Sequence, residues 1–313
     1  MRVERIAISR GLPGQLVSRA AAAVALCFLA AIPVSAATLD RIQESGHFRL
    51  GFLADASPFS YRGKSGPAEG YAVALCQEVA EQVRTQLQRP DLVVDWVEVA
   101  FDDRLREVQA GNIDLLCAPT SATLSRRQEV SFSIPIFASG IRAAVREDSA
   151  AALREALSEA PPQRPVWRGS PAARLIEKTT FAVASGTTAE SWLARTLNSF
   201  QIDAETVKVP DYRTGLQQLI DGKVDVLFGE RSAMLGAMDE GSMRKVVIFG
   251  RLFTHEPLSL ALARGDDDFR LLVDRALSGL YSSGDFSKLY SKWFGDFDNA
   301  TRIFFQWSTP PPE

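Results

Sequence analysis

The stretch LREVQAGNIDLL, residues Leu105–Leu116, has a later counterpart in LQQLIDGKVDVL, residues Leu216–Leu227. In each, apolar residues at helical spacing lead to a glycine, and an apolar residue, an aspartate and an apolar run follow. This pattern predicts a helix closed by Gly111 or Gly222, since glycine accepts the left-handed conformation that ends many helices, and then a buried strand. The two stretches are similar in pattern without being a true sequence repeat, and they predict two lobes of similar construction.

Strand and helix signals alternate around both stretches. The predicted strands lie at 48–53, 92–99, 113–117, 181–184, 207–209 and 224–228. Alternation of this kind favours parallel pairing, so the predicted class is α/β. Extended segments at 134–147 and 255–264 cross between the halves. The sequence therefore predicts a two-lobed clamshell with two hinge crossings, each lobe a mostly parallel sheet flanked by helices, and a ligand in the cleft at the carboxyl ends of the strands.

Lobe 1 is predicted to be discontinuous in sequence, whereas lobe 2 is predicted to be continuous. Lobe 1 combines residues 38–140 with 256–313, and lobe 2 spans 141–255. Residues 149–171 are alanine-rich and then proline-rich, which predicts a surface excursion from lobe 2. Residues 55–70 contain two prolines and three glycines and are predicted to form a loop.

The N-terminus has the composition of a secretory signal. Four arginines precede the apolar run Ala20–Val34, and small residues follow, which predicts removal of residues 1–37 by cleavage near Ala36 and Ala37. The apolar run is short for a membrane span, and an uncleaved anchor is the alternative. Cys27 follows Leu26, where a lipoprotein signal prefers a small residue, so lipidation is not expected. The expected location is the periplasm.

Charge and cysteine content narrow the class of protein. Without residues 1–37 the chain has 31 basic and 37 acidic residues, and a mildly acidic exported chain is a poor nucleic-acid binder. Cys76 and Cys117 then form an even pair, which favours a disulfide in an oxidising compartment. Two buried free thiols are the alternative. The protein is expected to be a monomer.

Hydroxyls and arginines are concentrated in residues Cys117–Ser133, CAPTSATLSRRQEVSFS. Thr120, Ser121 and Thr123 follow a strand signal, and Arg126 comes next. Hydroxyls and free N–H groups at such a junction donate to a small anion, and an arginine clamps a carboxylate through two parallel bonds. Plain helix capping with solvated arginines is the alternative.

At this point the chain resembles the periplasmic amino-acid-binding proteins of ABC importers, the family-3 extracellular solute-binding proteins. The resemblance runs from Leu39 to Gly295. It rests on the order and spacing of Pro58-Phe59, Gly70-Tyr71, Arg104-Leu105, Gly111-x-x-Asp114, the cluster with Arg126, Phe132-Ser133-x-Pro135, Ser185-Gly186-Thr187-Thr188, Gly222-x-x-Asp225 and Tyr290-x-Lys292-Trp293-Phe294-Gly295. The chain is most similar to the glutamate/aspartate-binding branch, as the two cysteines and Arg104 indicate.

The resemblance implies a type II clamshell that closes on one amino acid and passes it to an ABC permease. Ser121 and Arg126 would hold the α-carboxylate, with help from the turn at Thr187 and Thr188. Glu230 stands where the family usually has an aspartate for the α-ammonium. For Arg126 the alternative is a surface ion pair, for the threonines it is helix capping, and for Glu230 it is a helix-start carboxylate.

The sequence defines less clearly which residues would recognise the side chain of the bound amino acid. Arg104 is a candidate partner for a side-chain carboxylate, or else a solvated helix residue. Phe59 and Phe101 are candidate walls of the ligand site, or else core residues. The acidic-ligand branch commonly has an arginine where this chain has Leu53, and Pro119 replaces a small hydrogen-bonding residue. We therefore expect a polar amino acid, with glutamate and aspartate as candidates.

Enzyme chemistry has little support in the sequence. The two histidines, His47 and His255, lack metal-ligand spacing, and no nucleophile elbow, P-loop or dinucleotide fingerprint is present. We therefore expect no catalytic residues, no metal and no cofactor. Two alternatives remain. One is a cyclohexadienyl dehydratase-like enzyme, which resembles this family and would use Glu230 or Glu190 as a general acid. The other is a sensory module that passes the ligand signal to a separate protein.

Overall fold

The computed structural model describes residues 37–158 and 171–311, with the backbone alone at 171 and 172. The predicted signal peptide, apart from Ala37, and residues 159–170 of the predicted excursion lie outside the described residues. The strands are β1 (His47–Phe52), β2 (Asp55–Ala56), β3 (Ser60–Arg62), β4 (Ala68–Glu69), β5 (Val93–Glu98), β6 (Leu115–Ser121), β7 (Ser131–Phe132), β8 (Phe137–Ser139), β9 (Ile141–Arg146), β10 (Phe181–Ala184), β11 (Thr206–Val209), β12 (Val226–Glu230), β13 (Val246–Ile248) and β14 (Glu256–Leu262). The helices are α1 (Thr38–Ser45), α2 (Tyr71–Leu87), α3 (Arg104–Gln109), α4 (Ala151–Leu157), α5 (Pro171–Glu177), α6 (Thr188–Phe200), α7 (Tyr212–Ile220), α8 (Arg231–Ala237), α9 (Glu240–Met243), α10 (Asp267–Tyr281), α11 (Phe286–Phe294) and α12 (Asn299–Ser308).

Two mixed sheets form the framework. In the first, the order is β5-β1-β6-β14-β7, with β8 also paired to β14, and β5, β1 and β6 are parallel while β14 runs antiparallel to its neighbours. In the second, the order is β11-β10-β12-β9-β13, with β11, β10 and β12 parallel and β9 antiparallel. Each sheet thus has three parallel strands, beside which a strand from a crossing segment is added.

The strands of the first sheet lie within 38–140 and 256–313, and those of the second lie within 141–255. We use lobe 1 and lobe 2 for these two sets of residues. The crossings between them are β8 to β9 and the segment that leads into β14. Gly140 separates β8 from β9, and a Cβ there would lie 1.9 Å from the carbonyl oxygen of Thr254. The two crossings therefore approach too closely for any residue other than glycine at this position.

The glycine–aspartate stretches form as the sequence predicts. Gly111 and Gly222 follow α3 and α7 with φ of 68° and 72°. The N–H of Asp114 donates to the carbonyl of Arg49 at 2.8 Å, and the N–H of Asp225 donates to the carbonyl of Thr180 at 2.8 Å. Each aspartate thus joins the start of its strand, β6 or β12, to the neighbouring parallel strand, β1 or β10.

One region differs from the sequence prediction. The predicted loop at 55–70 contains a small antiparallel sheet of β2, β3 and β4. Near the C-terminus, residues 267–294 form two helices, α10 and α11, with a break at 282–285 that contains Gly284. Glycine costs a helix about 1 kcal/mol relative to alanine, and here it coincides with the break between the two helices.

The apolar faces of α2, α10 and α11 cover one side of the first sheet. Buried residues of α2 recur at helical spacing: Ala72, Leu75, Cys76, Val79, Ala80 and Val83. They pack with β1, β6 and β14 in one cluster that extends to Phe305 of α12. In lobe 2, separate clusters lie on the two faces of the second sheet. The cores fix the strands, so the residues at the strand ends are held in place.

Candidate functional site

A cavity of about 410 Å³ lies between the lobes at the carboxyl ends of the parallel strands. Residues at or just after the ends of β1, β6, β10, β11 and β12 contribute to its wall. This is the position at which α/β folds bind ligands. The predicted site residues that line it are Phe101, Arg104, Ser121, Arg126, Thr187, Thr188 and Glu230.

Arg126 reaches across the cavity from lobe 1 to lobe 2. It lies in a short 3₁₀ turn after β6, where its N–H donates to the Thr123 hydroxyl at 3.2 Å. Its guanidinium donates to the carbonyl of Ser121 at 3.1 Å and to that of Gly186, in lobe 2, at 3.0 Å. Burial lowers its pKa, and the negative charge of Glu256 acts in the opposite direction.

Arg104 begins α3 and is 5% exposed. Its guanidinium lies 3.7 Å from the centre of the Phe101 ring, donates to the Phe101 carbonyl, and reaches the Gly186 carbonyl at 3.4 Å. Its Nε is buried without a hydrogen-bond partner. Burial, and then repulsion from Arg126, lower the pKa of Arg104 to about 10.

The two arginines are held by carbonyl groups. In the part of the chain that the structure describes, neither has a carboxylate within ion-pair distance. A buried cation without an anionic partner is costly, since carbonyl groups replace only part of its hydration. This lobe 1 side of the cavity is therefore suited to receive an anion.

The turn before α6 supplies backbone donors. The Thr187 hydroxyl donates to the carbonyl of Ala184 at 2.6 Å, and the Thr188 hydroxyl donates to Glu256 at 2.6 Å. A hydroxyl has one proton, so neither is available to a ligand in this arrangement. The N–H groups at the start of α6 are the donors of this turn, and the helix dipole favours an anion there.

Glu230 ends β12 and caps α8. Its carboxylate accepts from the N–H of Ala233 at 2.6 Å. Burial raises the pKa of Glu230, and hydrogen bonds from the backbone N–H groups of Ser232 and Ala233 counteract part of the shift. The predicted capping role is therefore present, and the same carboxylate also lines the cavity.

Glu256 and Tyr212 line the cavity although the sequence analysis did not include them among the site residues. Glu256 begins β14, and its carboxylate accepts from the hydroxyls of Thr188 and Thr254 at 2.6 and 2.7 Å. Tyr212 begins α7, and its ring fits against Gly229, where a Cβ would lie 2.3 Å from the ring. Two features of the sequence could have identified these residues. Glu256 lies at the start of a crossing strand, and Tyr212 follows Asp211, the N-cap of α7.

The structure places three of the predicted ligand-site residues outside the cavity wall. Thr120 is 1% exposed on the opposite face of β6 from Pro119 and Ser121, because strand side chains alternate. Thr123 accepts from the Arg126 N–H and acts as a capping residue. Phe59 is fully buried, 5.1 Å from the Phe137 ring and 5.2 Å from the Phe294 ring.

Glu190, the other candidate general acid, is also outside the cavity wall. It accepts from the N–H of Gly186 at 2.9 Å and pairs with Lys208 at 2.7 Å. The bond with Lys208 lowers its pKa, which opposes proton donation at neutral pH. Its place behind the turn gives it a structural role.

The two cysteines of the described residues are joined to each other. Cys76 of α2 and Cys117 of β6 form a disulfide, the alternative that the sequence favours. Within residues 37–158 and 171–311, no three side chains of histidine, cysteine, aspartate or glutamate are grouped to hold a metal ion. Over the same residues, no helix has the length and apolar character that crossing a membrane requires.

Comparison with known proteins defines the class. Residues 48–296 match the model of the bacterial extracellular solute-binding proteins, family 3. The L-glutamate/L-aspartate-binding protein of Pseudomonas aeruginosa is 26% identical over 259 residues, which cover 82% of this chain and 80% of that protein. The cyclohexadienyl dehydratase of Pseudomonas aeruginosa is 28% identical over 216 residues, 67% of this chain and 68% of that enzyme.

A solved structure agrees with the architecture. The ancestral amino-acid-binding protein AncCDT-1, a precursor of cyclohexadienyl dehydratase, superposes with a TM-score of 0.65 at 25% identity, covering 83% of this chain and all of that one. Its class is that of two-lobed type II binding proteins, which confirms the predicted α/β clamshell. This chain belongs to the bacterial extracellular solute-binding proteins, family 3.

Proposed function

We propose that this protein captures an acidic amino acid, glutamate or aspartate, in the cavity between its lobes. The observation that carries the proposal is the pair formed by Arg104, which is buried, and Arg126, which is half-buried. Both donate to one carbonyl, and neither has a carboxylate partner among the described residues. Arg126 is the clamp for the α-carboxylate, since a guanidinium binds a carboxylate through two parallel bonds. The N–H groups at the start of α6 complete this subsite.

Glu230 is the partner of the α-ammonium. Its carboxylate lies in the cavity on lobe 2, opposite the arginines of lobe 1. A ligand cation beside this carboxylate favours its ionised form and so offsets the effect of burial. This arrangement suits an amino acid with its carboxylates toward Arg104 and Arg126 and its ammonium group toward Glu230.

Arg104 is the partner of the side-chain carboxylate. Both arginines contact the carbonyl of Gly186, so their guanidinium groups are close together. A short dicarboxylate can contact both groups at once, which a neutral side chain cannot do. The 26% identity with an L-glutamate/L-aspartate-binding protein supports the same choice.

The cellular role follows from the family. We propose that the chain is exported, that cleavage near Ala36 and Ala37 releases it into the periplasm, and that the closed, loaded form delivers the amino acid to an ABC permease. Closure is a hinge motion at the crossings beside Gly140 and Thr254.

The test is ligand-dependent thermal unfolding of residues 38–313 with the twenty common amino acids. A ligand at about a hundred times its dissociation constant stabilises the fold by about 2.7 kcal/mol. We expect this shift with glutamate or aspartate. Arg126→Ala should abolish it, because an unpaired buried carboxylate costs about 2–5 kcal/mol. Arg127→Ala is the matched control, since Arg127 is exposed and does not line the cavity. Absence of a shift with every amino acid contradicts the proposal.

Glu230 also favours a second candidate, a dehydratase that acts on a ring-bearing carboxylic acid. Burial raises the pKa of Glu230 in a cavity whose wall also includes Arg104 and Arg126, an arrangement suited to a general acid. The 28% identity with a cyclohexadienyl dehydratase is in line with this candidate. Turnover of prephenate or arogenate, lost in Glu230→Gln, would replace the binding proposal with this one.

A further inference from the structure

The turn at 185–188 of lobe 2 touches lobe 1 at three points. The carbonyl of Gly186 accepts from Arg104 and Arg126, and the hydroxyl of Thr188 donates to Glu256. Glu190 holds the turn from behind through the N–H of Gly186. The arginine contacts belong to the ligand site already described, whereas the contact with Glu256 has no assigned role.

Glu256 lies where the second crossing enters lobe 1. It pairs with Ser139, the last residue of β8, so it is adjacent to both crossings. One of its oxygens accepts from Thr254, whose hydroxyl also accepts from the N–H of Ile141 at 3.0 Å. Its other oxygen accepts from Thr188, at the start of α6. A continuous chain of hydrogen bonds thus joins the two crossings to the turn at the ligand site.

We infer that Glu256 is a positioning residue that holds the 185–188 turn against lobe 1 and thereby sets how long the closed form lasts. Opening of the lobes moves Thr188 away from Glu256, because the two residues belong to different lobes. Thr188 donates to a carboxylate, and such a charge-assisted hydrogen bond is stronger than a neutral one. Because opening breaks this bond, the bond opposes opening. The effect on amino-acid affinity rests on the proposed function, but the effect on lobe position does not.

The hydrogen bonds that Glu256 and Thr188 already make distinguish this positioning role from direct contact with the ligand. Both carboxylate oxygens of Glu256 already accept from hydroxyls, and the single proton of Thr188 is directed to Glu256. Glu256 therefore orients Thr188 and leaves the N–H groups of α6 for the ligand. A residue that acts in this way changes the rate of opening more than the rate of ligand encounter.

The experiment uses Glu256→Gln, Thr188→Val and the double variant, with L-glutamate as the probe in stopped-flow binding. We expect each single variant to raise the dissociation rate about tenfold, the value of one hydrogen bond to a charged group, and to change the association rate less than twofold. The double variant should be no worse than either single one, since both remove one contact. Ser191→Ala is the matched control, because that hydroxyl lies on the same helix and donates to a backbone carbonyl. Additive effects, or a loss confined to association, overturn the inference.

A second measurement needs no ligand. Spin labels at Lys64→Cys in lobe 1 and Lys178→Cys in lobe 2, both exposed positions, report the distance between the lobes. We expect Glu256→Gln and Thr188→Val to shift this distribution toward longer distances, and Ser191→Ala to leave it unchanged. An unchanged distribution in the first two variants overturns the inference even where L-glutamate binds. A shifted distribution with no amino-acid binding supports the inference and contradicts the proposed function.

Discussion

Lobe 1 and lobe 2 have the same order of parallel strands, yet they place different charged groups in the cavity wall. Lobe 1 supplies Arg104, Arg126 and the carboxylate of Glu256, while lobe 2 supplies Glu230, Arg213 and the carbonyl of Gly186. These groups stand at or near strand or helix ends, where the sheets and their cores hold them. The architecture is thus repeated, whereas the placement of the charged groups is particular to each lobe.

The two lobes also differ in the surroundings of the aspartates that join their parallel strands, Asp114 in lobe 1 and Asp225 in lobe 2. Asp114 is 1% exposed at its side chain and accepts from the N–H of Arg49 and from the guanidinium groups of Arg49 and Arg41. Asp225 is 36% exposed, accepts from the N–H of Thr180 at 3.0 Å, and has Arg146 at 3.7 Å. The backbone contact is common to both lobes, whereas a buried carboxylate paired with two partly exposed arginines is particular to lobe 1.

Replacement of these aspartates tests that difference most directly. Asp114→Ala should lower the free energy of unfolding by about 3 kcal/mol or more, since it leaves two arginines without their shared partner. Asp225→Ala should cost about 1 kcal/mol, because it removes one hydrogen bond and a long ion pair near the surface. Urea unfolding of both variants measures the two values. Equal losses would show that the buried charges add nothing to the backbone contact.

These aspartates were predictable as structural residues because helix, glycine and strand are adjacent in sequence. Arg126 and Ser121 were predictable as cavity residues for the same reason, since they lie within one short segment after a strand. The cavity wall beyond that segment depends on long-range packing. Glu256 comes to the site through the second crossing, far along the chain from β6.

Strand direction and core membership were the other limits. Alternation predicts that Thr120 and its neighbours face opposite sides, but local sequence does not determine which side faces the cleft. Phe59 follows a predicted strand close to the site, and an aromatic residue there suits either wall or core. Its burial is decided by Phe137 and Phe294, which arrive from distant segments.

Arg104→Met sharpens the contrast between the charges of the two lobes. Burial lowers the pKa of Arg104 to about 10, so its charge costs more free energy in the folded protein than in water. An apolar side chain of similar length removes that cost, and we expect the protein without ligand to be more stable by about 1–3 kcal/mol. The same variant should lose selectivity for acidic over neutral amino acids. Thermal unfolding with and without L-glutamate measures both effects, and a destabilised variant with intact selectivity contradicts the assignment.

Glu230 and Glu190 give the smallest expected effect, and their pH dependences have opposite signs. Burial raises the folded-state pKa of Glu230, so its contribution to stability is present below the unfolded pKa and is lost as pH rises through the folded pKa. The bond with Lys208 lowers the pKa of Glu190, so its contribution is present above the unfolded pKa and is lost as pH falls through the folded pKa. Glu230→Gln should therefore be more stable than the native protein at pH 7, with the difference vanishing near pH 4, although it binds the amino acid less tightly.

Glu190→Gln should be less stable at pH 7 by under about 1 kcal/mol, since the pair with Lys208 is partly exposed, and this difference should also vanish at low pH. Urea unfolding from pH 4 to pH 8 measures both variants against the native protein. If Glu230→Gln and Glu190→Gln shift stability in the same direction at pH 7, burial does not dominate at Glu230. Its carboxylate would then be stabilised by the hydrogen bonds of the α8 cap, and the cavity would already satisfy the charge that we assign to the ligand ammonium.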